Sequence, residues 1–187
     1  MTNMHAGAVL TGKSILFGGS PLRPEATGYG LVYIAEVAIK KQLKSDLSDK
    51  RCAVSGSGNV AQYTAEKLLE FGAKVVTMSD SNGILVFDEG MTKDDLKVIF
   101  KAKQVDRARL LSIENKVSGR YIPNISVWTF PKIQFDFAFP GATQNEITAD
   151  AAKLLIKQGV LGIFEGELHL LIILRSCTCL FVCLFVG

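Results

Sequence analysis

The chain has 187 residues, enough for one α/β domain with a full core, or for one such domain plus a tail. Its 21 basic and 18 acidic residues leave a net charge of +3, and the cations are interspersed among acids, a balance that gives no footing for nucleic-acid binding. Of the four cysteines, Cys52 stands alone and Cys177, Cys179 and Cys183 crowd the end, which is not a disulfide framework and implies a reducing, cytoplasmic setting.

Residues 1–20 carry Gly12, Gly18 and Gly19, show no sustained period and lack the charged-then-apolar build of a secretory signal. They read as an extended lead-in. The domain proper is expected over 21–166. Pro21 and Pro24 bracket Arg23, and Pro24-Glu25-Ala26-Thr27 has the composition of a helix entry. Leu31, Ile34, Ala35, Ala38 and Ile39 then form a helical stripe that ends among Lys40, Lys41 and Lys44. Most of that helix is packing, with Arg23 and Thr27 as the positions able to face a ligand.

Residues 51–83 carry the strongest local pattern. Cys52-Ala53-Val54-Ser55 suits a strand covered on both faces, and Gly56-Ser57-Gly58-Asn59-Val60-Ala61 is the G-x-G-x-x-A turn that follows such a strand in dinucleotide-binding βαβ units. The first glycine permits the tight reversal, the second lets backbone N–H groups approach a pyrophosphate, and the small third residue lets helix pack on strand. The helix that follows turns Val60, Ala61, Thr64, Ala65, Leu68 and Leu69 to the core and leaves Gln62, Glu66, Lys67 and Glu70 outside, and Gly72 ends it. Residues 74–79 make the second strand. Asp80 closes it about 20 residues beyond the glycines, where an acid usually meets the adenosine ribose.

Residues 84–87 suit a short strand or hairpin arm, and Thr92-Lys93-Asp94-Asp95 opens a helix in capping fashion, with Leu96, Ile99 and Phe100 inward. Lys97, Lys101, Lys103, Arg107 and Arg109 follow as a cationic run. Such a run serves as a solvated face or places Lys103 or Arg107 on a ribose 2′-phosphate. Residues 117–132, with the single Trp128 and two prolines, read as an irregular variable loop. Phe135-Asp136-Phe137-Ala138-Phe139 alternates as a further strand. Ala142, Thr143, Gln144 and Asn145 come directly after its Pro140-Gly141 stop, where parallel sheets hold ligands. A helix from Thr148 to Gly159 and a buried strand over 160–164 complete the pattern. The fold expected is α/β, Rossmann-like and doubly wound, with a mostly parallel sheet that is incomplete at its C-terminus.

The segments LTGKSILFGGSPLRPEATGYGLVY, AVSGSGNVAQYTAEKLLEFGAKV, SDSNG and PGATQNEI together resemble the coenzyme-binding domain of the hexameric, NADP-type glutamate dehydrogenases, within the Glu/Leu/Phe/Val dehydrogenase family. The likeness runs from about residue 9 to 166. It implies an oxidoreductase interconverting L-glutamate with 2-oxoglutarate and ammonia by hydride transfer to or from a nicotinamide. By that resemblance Thr27 lies near the nicotinamide amide, and Gly56, Ser57, Gly58, Asn59 and Val60 hold the pyrophosphate. Asp80 and Ser81 take the adenosine ribose, and Ala142, Thr143 and Asn145 take the nicotinamide ribose. Lys103, in KQVDRARL, matches the basic stretch tied to NADP. NADP is therefore the expected cofactor, with NAD as the alternative that Asp80 favours. No stretch resembles the substrate domain of such enzymes, so no catalytic residue transfers, and the chain alone is expected to be inactive and outside the family's hexamer.

The likeness stops at Gly166. Residues 167–187 form an apolar, cysteine-rich tail that reads as foreign to the fold or as a membrane anchor; Arg175 near its middle, costing roughly 2.5–3.5 kcal/mol in a bilayer, weighs against the anchor. Cys177, Cys179 and Cys183 with His169 do not have zinc spacing, and no metal site is expected.

Overall fold

The computed structural model describes residues 14–143 and 146–165, and the backbone of 180–183. Seven strands form one sheet in the order β4-β3-β2-β1-β5-β6-β7: β1 Arg51–Val54, β2 Lys74–Asp80, β3 Gly83–Val86, β4 Arg120–Pro123, β5 Phe137–Phe139, β6 Gly162–Glu165 and β7 Leu180–Cys183. The pairs β1–β2, β1–β5, β5–β6 and β6–β7 are parallel, while β3 and β4 add an antiparallel edge beside β2. The sheet is mostly parallel, as expected. Of the apolar tail only β7 is described, pairing with β6 along Gly162–Glu165; the remaining expectations for 167–187 and those for residues 1–13 lie outside the described residues.

Helices cover both faces, so the sheet is doubly wound. On one side α1 Ala26–Leu43, α2 Asn59–Glu70 and α3 Lys93–Phe100 bury Leu31, Ile39, Ala61, Leu68 and Ile99 against Cys52, Val54, Val75, Phe137 and Phe139. On the other, α4 Ala149–Lys157 and the 3₁₀ turn Val127–Thr129 set Ala151, Leu155, Trp128 and Phe130 against Ala53, Val76, Ala138 and Ile163. Alternate β1 side chains thus serve opposite cores, which is why this strand has no polar position after Arg51. Cys52 is fully buried there and burial pushes its thiol pKa up, so it behaves as a small apolar residue.

Caps and close contacts fix the helices. Thr92 and Asp95 form a reciprocal capping box on α3, Thr148 Oγ1 accepts from the Ala151 N–H on α4, and Gly72 sits at φ 78° just beyond α2. Gly28 lies where α1 crosses α2: a Cβ there would stand 2.7 Å from the Thr64 nitrogen, so this position admits no side chain.

Two sequence expectations are corrected. Residues 117–132 are not a variable loop: Tyr121 lies in β4 and Trp128 is 1% exposed, because this segment roofs the second core. Gln62 and Lys67 do not face solvent. Gln62 is buried in the first turn of α2, and the Lys67 ammonium lies 4.0 Å from the centre of the Tyr29 ring, its stem covered by α1.

Candidate functional site

From β1 the chain proceeds to β2 on one side and returns much later to β5 on the other, so β1 and β5 flank the switch point of the sheet. A cleft of about 880 Å³ opens at their carboxyl ends, within the ~300–1,000 Å³ typical of small-molecule and cofactor sites. One wall is Gly56, Ser57 and Gly58; the next is Ser79 to Gly83 with Lys103 and Arg109; the third is Asn124 to Val127; and Gly141, Ala142, Thr143 and Glu146 close the far end.

Beyond Cys52, side-chain hydroxyls join the backbone in tying the ends of β1 and β2 together. A register shift after Cys52 sets Ala53 opposite Thr77, and the Thr77 hydroxyl fills the gap by accepting from the Val54 N–H at 3.1 Å and donating to the Val54 carbonyl at 3.0 Å. One step on, the Gly56 N–H donates to Ser79 Oγ at 2.8 Å, and the Ser79 N–H returns a bond to the Gly56 carbonyl at 3.0 Å. Gly56 has φ 83°, and a Cβ on it would lie 2.7 Å from the Gly141 carbonyl oxygen. Gly58 differs: its backbone is extended, and nothing lies within 4 Å of where its Cβ would be. The space over Gly58 is open cleft, directly before α2, whose N-terminus has no side-chain cap and no acid in its first turn. Uncapped N–H donors beneath an open glycine suit an anion.

Asp80, expected on the adenosine ribose, lines the cleft and is also held by donors of the protein. Its Oδ1 accepts from the Asn82 N–H at 2.9 Å and the Tyr121 hydroxyl at 3.1 Å, and its Oδ2 accepts from the Leu110 N–H at 2.9 Å. Burial works against the charged carboxylate, but the two backbone N–H groups, Tyr121 and the charge of Lys103 outweigh it and the pKa is lowered. The Tyr121 phenol, buried beside that charge, is pushed up to about 12. Of the cationic run, Lys103 and Arg109 line the cleft, Arg109 Nη1 donating to Ser81 Oγ, and Arg107 does not line it. The sequence points to Arg107 only because it does not show that Leu110 is tethered to Asp80, which brings Arg109 to the cleft.

At the opposite end Ser55, fully buried, receives the Gly141 N–H on its Oγ at 3.1 Å and donates that hydroxyl to Glu146 Oε2 at 2.7 Å. Burial raises the Glu146 pKa against the opposing pull of Ser55. Ala142 and Thr143 are exposed on the cleft wall; Gln144 and Asn145 lie outside the described residues. Arg23, Thr27, Asn59 and Val60 stand apart from the lining: Arg23 is exposed, Thr27 begins α1, and Asn59 Nδ2 donates to the Pro24 carbonyl at 3.1 Å, tying the α1 entry to the glycine turn. Among the described residues no cluster of three metal-ligating side chains occurs, and no helix is long and apolar enough to cross a membrane.

A doubly wound, mostly parallel sheet with a glycine turn and a cationic wall at its switch point defines an open α/β domain of the nucleotide-cleft type. Residues 18–167 match the family model described as Glutamate/Leucine/Phenylalanine/Valine dehydrogenase, and the chain belongs to that family. It is 48% identical over 166 residues to an NAD(P)-specific glutamate dehydrogenase of Xylanibacter ruminicola, covering 89% of this chain and 36% of that protein. It is 44% identical over 162 residues to the NADP-specific glutamate dehydrogenase of Escherichia coli (strain K12), covering 87% and 35%. The crystal structure of Plasmodium falciparum glutamate dehydrogenase superposes with a TM-score of 0.77 at 42% identity, over 84% of this chain and 33% of that one. The chain thus spans about a third of the length of the curated relatives it matches.

Proposed function

We propose that the strand-end cleft binds NADP(H), and that the chain is the coenzyme-binding part of a glutamate dehydrogenase that oxidises L-glutamate to 2-oxoglutarate and ammonia. The observation that carries this reading is the open space above Gly58 at the uncapped start of α2, flanked on one side by Lys103 and Arg109 and on the other by Ala142 and Thr143. The pyrophosphate lies over Gly56 to Val60, where backbone donors and the helix dipole meet its charge. The nicotinamide ribose lies by Ala142, Thr143 and Asn145, with Thr27 and Arg23 approaching from the α1 entry. The bound nicotinamide supplies the hydride acceptor.

NADP is preferred over NAD in this reading because Asp80 already accepts three hydrogen bonds from the protein. Three of its roughly four acceptor sites are taken, which leaves little for a free 2′-hydroxyl, while the cations Lys103 and Arg109 on the same wall suit a 2′-phosphate. Substrate binding and proton transfer belong to residues outside this stretch of the family's length, so the chain by itself turns over no substrate, and it resides in a reducing, cytoplasmic setting. Titration of NADPH fluorescence with the purified chain tests the reading. Saturable enhancement that Gly58→Val abolishes is expected, and no change at millimolar protein overturns it.

A further inference from the structure

Gln62 is a buried polar residue beside the glycine turn that cofactor contact does not account for. It is 1% exposed and does not line the cleft, yet both ends of its amide are engaged: Nε2 donates to the Ser57 carbonyl at 2.6 Å and Oε1 accepts from Gln104 Nε2 at 2.9 Å. A neutral amide is suited to this, being donor and acceptor at once. One bond reaches the glycine turn and the other reaches the cationic segment 42 positions later in the chain. Gln104 lies in the π-helical turn Lys101–Val105, closed by the Asp106 N–H on the Lys101 carbonyl at 3.1 Å, and is the immediate neighbour of Lys103. Such turns carry an extra residue, cost stability, and concentrate at functional sites.

We propose that Gln62 and Gln104 are positioning residues that hold the Lys103 turn at a fixed place beside the glycine turn and thereby set the preference for a 2′-phosphorylated dinucleotide. This rests on the cofactor reading above. The segment leading from α3 into the 3₁₀ turn Leu110–Lys116 is tied at Gln104 by Gln62, at Arg109 by Ser81 and at Leu110 by Asp80, and the first of these is the tie beside Lys103. The flexible Lys103 ammonium gives a strong phosphate contact only if the turn beneath it is held. The glycine turn keeps its own ties through Ser79, so cutting the Gln62–Gln104 bond leaves the pyrophosphate cradle standing.

The test is a fluorescence titration of the full chain with NADPH and with NADH, for the parent, Gln104→Ala and Lys103→Ala, with a thermal melt of each. Gln104 is exposed, so its truncation leaves the fold intact. The expected result is an NADPH affinity about three- to tenfold weaker for Gln104→Ala, the effect of removing one well-placed hydrogen bond, with NADH affinity moving less than about twofold and a cooperative melt whose midpoint falls only modestly, since Gln62 Oε1 loses its donor. A merely structural role would move both cofactors together. A parent preference for NADPH that Lys103→Ala removes and Gln104→Ala leaves untouched overturns this inference alone. A parent that binds both cofactors alike, or neither, overturns it together with the reading beneath it.

Discussion

The Asp80 carboxylate accepts the Leu110 backbone N–H at 2.9 Å, joining the end of β2 to a residue 30 positions later. The acid that the sequence points to for the ribose thus also anchors the segment carrying Arg109, which lies next to Leu110 and lines the cleft. Asp80→Ala is expected to weaken NADPH binding by releasing that segment. Were Asp80 instead free to face the 2′-phosphate, its negative charge would repel that group, and removing it would strengthen binding. Its lowered pKa gives the sign in acid: the charged anchor is complete above the ordinary carboxyl value of about 3.9 and is lost as pH falls through its lower folded value. NADPH titrations of Asp80→Ala and the parent at pH 7 check the first point, and a rise in affinity for the variant would refute it.

The two glycines of the turn separate stability from binding. Gly56→Ala forces a side chain onto φ 83° and against the Gly141 carbonyl, a combination expected to cost about 2–4 kcal/mol in urea unfolding. Gly58→Ala meets no protein atom in an extended backbone and is expected to stay within about 0.5 kcal/mol of the parent, while its methyl group stands in the approach to α2 and lowers NADPH affinity at least about tenfold. Equal losses of stability in the two variants would contradict this division.

The glycine turn, its helix, Asp80 and the polar loop after β5 are legible in the sequence because their chemistry is local: spacing, caps and breakers lie within one βαβ stretch or directly after one strand. What escapes is what tertiary packing decides. Trp128 reads as loop because its segment has no period, and it is core because the exposed face of Ala53, Val76 and Ala138 needs a roof. Gln62 reads as a surface residue of an amphipathic helix, and only the fold brings Ser57 and Gln104 onto it from positions 5 and 42 residues away. Arg109 and Arg107 are indistinguishable in the sequence, since the contacts that set Arg109 in the cleft, its own bond to Ser81 and that of Leu110 to Asp80, are tertiary.

Asp95 offers a stability switch away from the cleft. Burial opposes its ionisation, but Thr92 and Ser118 each donate through backbone and hydroxyl, with bonds of 2.6–2.9 Å, and its pKa is lowered. A depressed carboxyl contributes stability that is present above the unfolded value of about 3.9 and fades as pH falls through the folded one. Asp95→Ala is expected to cost about 2–3 kcal/mol at pH 7, combining a missing cap with the orphaned Ser118 N–H, and to cost less near pH 2. Urea midpoints of parent and variant across that range check it; a difference that does not shrink in acid would assign the loss to packing.

Thr77 bears on why the cleft exists at all. Where β1 and β2 part, its hydroxyl bonds both backbone groups of Val54, so neither the N–H nor the carbonyl of that fully buried residue is orphaned as the strands diverge. Valine has nearly the same shape and no hydroxyl. Thr77→Val therefore leaves two buried backbone groups without their bonds, at about 1–3 kcal/mol each where no water enters. The strands have a way to relieve this: slipping to close the gap, which shifts the glycine turn that Ser79 holds at Gly56. The expected outcome is a loss of about 2–4 kcal/mol in urea unfolding together with weaker NADPH binding, whereas Thr77→Ser, which keeps the hydroxyl, retains most of the affinity. If the serine variant bound NADPH as poorly as the valine one, the bridge to Val54 would not be what places the glycine turn.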